Sequence, residues 1–236
     1  MHAPLRLLLA VALAAAPAAA GAAPQSVDLG GTRVAGRVAS FRERRDRAVV
    51  KQERDYSCGA AAFATLLRHG FGEAITEEEI LRAVFADASE AEERLIKNKG
   101  LSLLDLQKLA RQRGYRAQGF RLAADQLPKL SRPVIVFIRP LGYQHFAVLK
   151  GVRGDRAELA DPSQGNWTLP LYRFLEMWAD ASGRGAIFVV ERPDGAWRQD
   201  GPLRPRAGGL AASPLTPGQL LDAARPVEPR RAMLAR

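Results

Sequence analysis

The stretch that decides the fold is Gln52-Glu53-Arg54-Asp55-Tyr56-Ser57-Cys58-Gly59-Ala60-Ala61-Ala62-Phe63-Ala64-Thr65-Leu66-Leu67. Ala60, Ala61, Ala62, Ala64, Leu66 and Leu67 are strong helix formers, so residues 58–69 are predicted helical, with Gly70 suited to a left-handed stop. Nearly every position in this helix is apolar, which implies burial on most sides. Cys58 falls in its first turn, where unpaired backbone N–H groups and the positive end of the helix dipole favour a thiolate. Gly59 is expected to let a substrate backbone approach the sulfur. Cys58 is also the only cysteine of the 236 residues, so it has no partner in the chain for a structural disulfide. Free cysteines are often packing residues, but a packing cysteine belongs inside a helix more naturally than at its mouth.

Downstream, Thr76-Glu77-Glu78-Glu79 is a capping box that opens a second helix through Ile80, Leu81, Val84 and Phe85. Ser102-Leu103-Leu104-Asp105 opens a third, with Leu103, Leu106, Leu109 and Ala110 on one face and Gly114 as its stop. The charged stretch 87–99 has no clear assignment. The character then changes. Residues 115–122, 133–138, 145–152, 156–160 and 186–190 read as strands, the second of them a continuous β-branched run that suits a buried strand. Gly154-Asp155 is a turn, and residues 171–178 read as a short helix. Helices first and an antiparallel sheet second make an α+β fold.

Upstream, residues 1–23 read as a signal peptide. His2 and Arg6 supply a short positive start, residues 7–16 are unbroken apolar, Pro17 interrupts, and small residues from Ala18 offer cleavage sites. The apolar run is short for a membrane span, so no transmembrane domain is expected in the mature chain, which is placed in the periplasm or outside the cell. Residues 24–47 read as a flexible leader, in which 34–38 is either a short strand or unstructured. Residues 48–192 form the domain. From residue 193 to 236 a Pro-, Ala- and Arg-rich tail is expected to be mostly disordered.

The formal net charge of +10 is carried mainly by arginine. It suits contact with anionic cell-surface material, but there is no nucleic-acid motif and no interleaved basic and aromatic stripe. Walker, dinucleotide-glycine, HExxH and CxxC patterns are missing as well, so no metal or nucleotide cofactor is indicated.

A thiolate nucleophile needs a proton carrier, and the chain has three histidines. His2 leaves with the signal peptide. His69 lies at the far end of the Cys58 helix, about 16 Å away at 1.5 Å per residue, where a charged imidazole favours a helix C-terminus. That leaves His145, at the start of a strand. If strands 145–152 and 156–161 pair as a hairpin, Asp161 becomes its neighbour and can accept the imidazole N–H. Gln52, six residues before Cys58, offers a side-chain amide that with the Cys58 N–H would hold an oxyanion. Cysteine, histidine and aspartate in this order serve peptidases, transglutaminase-like acyltransferases and cell-wall amidases alike, and an inactive relative would keep the frame as a binding module.

As a set, Gln52-x5-Cys58-Gly59-Ala60, Tyr143-Gln144-His145-Phe146-Ala147-Val148 and Ala160-Asp161-Pro162 resemble the C39 peptidases, the double-glycine leader peptidases that process bacteriocins. Residues 99–106, followed by Gly114-Tyr115, are similar to that family's middle helix, and the likeness spans roughly 48–191. It implies a papain-like cysteine peptidase fold and cleavage after a Gly-Gly pair in a peptide or protein substrate. Carried over by position, Cys58 is the nucleophile, His145 the base, Asp161 its orienter and Gln52 the oxyanion residue. Ser57 stands where many members have Asp. The transporter and ATPase domains of the best-known members are missing, so the chain resembles the stand-alone exported branch, some of which accompany secretion or functional-amyloid systems. The chain also carries its own Leu29-Gly30-Gly31 upstream of the domain, either a Gly-rich turn or a self-processing site.

Overall fold

Capping boxes start three of the helices. Thr76, Ser89 and Ser102 each accept a bond from the backbone N–H three residues on, while Glu79, Glu92 and Asp105 reach back to the cap. Each such box satisfies donors that a helix start otherwise leaves unpaired. The computed structural model describes residues 25–29, 32–36 and 39–204. Its helices are α1 (Phe41–Asp46), α2 (Cys58–Leu66), α3 (Glu77–Ala86), α4 (Glu90–Lys99), α5 (Leu103–Gln112) and α6 (Leu171–Trp178). Strands β1 (Gln25–Leu29) and β2 (Thr32–Gly36) form a separate antiparallel hairpin in which Leu29 pairs with Thr32. Gly30 and Gly31 lie outside the described residues.

The main sheet comprises β3 (Arg116–Ala123), β4 (Val134–Ile138), β5 (His145–Arg153), β6 (Arg156–Asp161), β7 (Gly165–Pro170) and β8 (Arg184–Glu191). Its order is β3-β8-β4-β5-β6-β7, and every pairing is antiparallel. Both faces are covered. Ile135, Phe146, Val148 and Phe188 pack with Phe63, Leu66 and Leu106 from the helices. Val136, Ala147, Leu149 and Ile187 face Phe120, Leu127, Phe174 and Trp178 on the other side. Two buried faces explain why β4 and β5 read as continuous apolar runs and not as alternating ones. All of α2 is buried, and its alanines let the helix backbone lie close against β5.

The helices-then-sheet order of the sequence is the order of the fold, and β5 and β6 pair as a hairpin, with a bulge between Leu149 and Gly151. Other expectations are corrected. Residue 70 does not end the first helix: α2 passes into a π-helical turn over Leu67–Phe71, and Gly72, at φ 83°, is the left-handed stop. Gly70 serves packing, because a Cβ there would lie 2.3 Å from the Trp197 ring. The unassigned stretch 87–99 contains α4, whose Ser89–Glu92 box the charge density of the segment obscured. β7 had no prediction; its burial is mixed, and its pairing with β6 and not its own pattern makes it a strand.

The compact unit also reaches past both expected edges, 48 and 192. It begins at Phe41. Asn166 Nδ2 donates to the carbonyls of Arg45 (2.9 Å) and Arg47 (2.7 Å), fixing the end of α1 on β7. Gly165, at φ 86°, leaves the space that Arg45 occupies, since a Cβ would lie 2.6 Å from the Arg45 carbonyl oxygen. So residues 41–47, read as flexible leader, are built into the domain. At the other end, Arg198 N donates to Gly70 O at 2.9 Å, Trp197 meets Phe71 edge-on at 5.1 Å, and Leu203 is fully buried. Thus 193–204 packs on the π-helical turn; residues 1–24 and 205–236, including the predicted signal peptide and most of the tail, lie outside the described residues. Among the described residues no helix is long and apolar enough to cross a membrane.

Candidate active site

Ser57 precedes α2 but does not cap it. Its hydroxyl donates to Arg54 O at 2.6 Å and accepts from Arg54 N at 3.1 Å, closing the turn that delivers the chain into the helix. Glu77, buried at the start of α3, accepts the Glu53 N–H with both carboxylate oxygens at 3.1 Å. Gln52 N donates to Pro162 O at 3.1 Å. These ties fix residues 52–57 between α3 and the end of β6. Cys58 emerges from them buried, as a free thiol.

The β5–β6 hairpin brings the other partners. His145 Nε2 donates to Asp161 Oδ1 at 2.9 Å. Oδ1 also accepts Ser163 N (2.8 Å), Ser163 Oγ (2.8 Å) and Gln164 N (3.0 Å). Asp161 is therefore both the turn starter that Asp-Pro suggests and the acceptor that orients the imidazole. Burial works against its charge, yet the bonds from His145, Gln164 and Ser163 hold its carboxyl below the usual range. Burial likewise disfavours a charged His145. The Asp161 carboxylate and a hydrogen-bonding contact with Cys58 more than reverse that and raise the imidazole to about 9. Since Nε2 is engaged by Asp161, Nδ1 is the nitrogen left for Cys58.

Cys58, His145 and Asp161 thus converge, and Gln52 is tied to the same corner. The Gln52 amide nitrogen donates to Arg54 O at 3.1 Å, so only the second of its two N–H groups remains for an oxyanion. Gly59 does not face a substrate as expected: it is buried, and a Cβ would lie 3.2 Å from both Leu101 Cβ and Phe146 Cδ2. Its lack of a side chain lets α2 sit against β5 and residue 101. His69 is held below its ordinary value by burial and by Arg68, Arg198 and Lys150, which work against the positive charge expected at the helix end.

Sequence reasoning missed several supports. Lys51 Nζ donates to Ser163 O at 2.6 Å, bracing the turn below Asp161. Glu77 looked like one of several first-turn acids, and Ser57 stood out only as a residue where many C39 peptidases have Asp. Of these supports only Ser163 left a signal, because Asp-Pro-Ser is an Asx-turn pattern in which the carboxylate collects the following N–H groups. Among the described residues no group of His, Cys, Asp and Glu is arranged to hold a metal.

A free thiol at the mouth of a buried helix, with an imidazole in contact with it and a buried carboxylate behind the imidazole, both on the antiparallel sheet against which that helix packs, describes a cysteine peptidase of papain-like architecture. The model of the Peptidase C39 family matches residues 46–183, more than half of the chain, and the chain belongs to that family. It is 35% identical over 161 residues to the "Probable functional amyloid protease FapD" of Pseudomonas aeruginosa, covering 68% of each chain. It is 34% identical over 178 residues to the protein of that name from Pseudomonas fluorescens, covering 75% of each. The peptidase domain of Streptococcus ComA, a bifunctional ABC transporter, shares the fold at a TM-score of 0.50 and 17% identity, over 61% of this chain and 97% of that one.

Proposed function

We propose that Cys58, His145, Asp161 and Gln52 carry out the peptidase reaction, and that the chain acts outside the cytoplasm on proteins of a secretion or functional-amyloid system. The observation that supports the catalytic roles best is that His145, bonded to Asp161 through Nε2, also makes a hydrogen-bonding contact with Cys58. The Cys58 thiol passes its proton to His145 and its sulfur attacks the scissile carbonyl carbon. The oxyanion that forms is held by the Cys58 backbone N–H and the free N–H of the Gln52 amide. On collapse the C–N bond breaks, and His145 passes its proton to the departing amine. Water then attacks the thioester, giving its proton to His145, and the carboxylate product leaves with the thiol restored.

Cleavage after Gly-Gly rests on the resemblance of the Gln52–Ala60, Tyr143–Val148 and Ala160–Pro162 segments to the double-glycine peptidases. The amyloid assignment rests on the name borne by the two Pseudomonas relatives, and export on the signal-like residues 1–23. The test is incubation of the mature protein with peptides carrying Gly-Gly or Ala-Ala at one position, read by mass spectrometry beside Cys58→Ala and His145→Ala. Cleavage after Gly-Gly alone, lost in both variants, is the expected result. Cleavage that survives Cys58→Ala would refute the catalytic roles, and equal cleavage of both peptides would refute the Gly-Gly preference.

A further inference from the structure

We infer that Leu141 and Tyr143 form a subsite for the half of the substrate released first, and that it selects a bulky apolar residue just after the scissile bond. The inference rests on the peptidase reading above and deepens it.

The two residues lie in the turn between β4 and β5. Ile138, at the end of β4, pairs with His145, at the start of β5, so residues 139–144 leave the sheet from the position beside the imidazole. The turn is fixed. Pro140 opens a short 3-10 segment; Tyr143 N donates to Pro140 O at 3.0 Å, Gly142 N to Arg139 O at 3.3 Å, and Arg139 N to Met177 O at 2.8 Å. Within it Leu141 holds φ 51° and ψ 27°, the left-handed region that suits glycine or asparagine and is uncommon for a large side chain. Leu141 is 96% exposed and Tyr143 is 73% exposed.

Stability explains neither choice. A glycine at 141 would adopt the same backbone without strain, and a polar residue at 143 would be better solvated. Strained backbone persists chiefly where function requires it. Here the strain sits four residues before His145, and its effect is to hold a leucine out in water in the turn that leads into the imidazole.

The reaction says which part of a substrate meets this turn. His145 must place its proton on the nitrogen of the departing amine, so that nitrogen lies against the imidazole. The acyl half is held at the other side, by the Cys58 N–H and Gln52. The residues that follow the scissile bond therefore pass over the chain attached to His145, which is the 139–144 turn. An apolar side chain there would be desolvated against Leu141 and Tyr143; a charged one would lose water without gaining a partner.

The test digests a proteome-derived peptide library with wild type, Leu141→Ser/Tyr143→Ser and Cys58→Ala, and counts residues on either side of each cut bond. Wild type is expected to favour Leu, Ile, Met, Phe or Tyr at the first or second position after the cut by about tenfold. The double variant should flatten that preference while the pattern before the cut stays as in wild type. A preference missing in wild type, or unchanged in the double variant, overturns the inference while leaving the peptidase reading intact. If wild type cuts nothing that Cys58→Ala does not, both fall together. Leu141→Gly separates function from folding: it should raise the melting temperature by roughly 2–4 °C as the strain is relieved and weaken the same preference. A fall in melting temperature would mean that Leu141 serves the fold, and would overturn the inference.

Discussion

Replacing Asp161 with Asn removes the charge facing His145 and little else. The amide keeps the carboxylate's shape, and its oxygen can still accept the Ser163 and Gln164 N–H groups. In wild type, burial works against a charged imidazole, and Asp161 with Cys58 more than reverses it, to about 9 from the ordinary 6.5. That interval corresponds to ~3 kcal/mol in favour of the charged form. Without the carboxylate's charge, burial opposes the imidazolium with only Cys58 against it, and His145 should titrate near or below 6.5. A raised imidazole stabilises the fold fully below its unfolded value of about 6.5, and that contribution is lost as pH rises through about 9. The variant should thus be less stable by up to ~3 kcal/mol at pH 6.5, with the gap closing by pH 10. At the acid end it should close again as Asp161, held below 3.8, takes up its proton. The assay is NMR titration of the imidazole Cε1–H between pH 5 and 10, with His69 as an internal contrast because its value is lowered, together with urea unfolding at both pH values. The same ~3 kcal/mol, lost from the transition state, would lower kcat/KM near neutral pH roughly 100-fold. A wild-type His145 that titrates at 6.5 or below, or one that Asp161→Asn does not move, would refute the reasoning.

Gly59→Ala should destabilise the protein by about 1–3 kcal/mol, the usual effect of overpacking, because the new methyl meets Leu101 and Phe146 at 3.2 Å; an unchanged unfolding midpoint would show that α2 can shift. Trp197→Ala removes the ring that covers Gly70 and meets Phe71. It should cost about 2–3 kcal/mol, below the fully buried range since Trp197 is half-buried, and denaturant titration of the purified variant measures it. Asn166→Ala strips the donor from the Arg45 and Arg47 carbonyls. A loss of about 1–2 kcal/mol and faster proteolysis within residues 41–47 are expected, and an unaltered digestion pattern would place the hold on α1 elsewhere.

Much of this molecule was legible in one dimension because the signals are local. A helix start is written in a cap residue and an acid three positions on, so Thr76–Glu79 and Ser102–Asp105 marked α3 and α5 before any packing was known. The lone Cys58 at a helix mouth, His145 at a strand start and Asp161 at a strand end could be set side by side by pairing a single hairpin, since its Gly154-Asp155 turn brings those two ends together. Other features depend on contacts between distant segments. Whether Gly70 stops a helix or makes room for Trp197 depends on a residue 127 positions away in the chain. Gly59 proved to be a packing residue because Leu101 and Phe146 close over it. Glu77 turned from a helix-start residue into a brace of the 52–57 turn because of where Glu53 lies. Residues 41–47 and 193–204 have no apolar periodicity of their own, and they belong to the domain through Asn166 and Trp197 instead. The sequence alone determined the residue types, their order and the local elements that carry them. The tertiary structure decided which side chains touch, and so the raised hold of His145 on its proton, which follows from a buried Asp161 carboxylate 2.9 Å away.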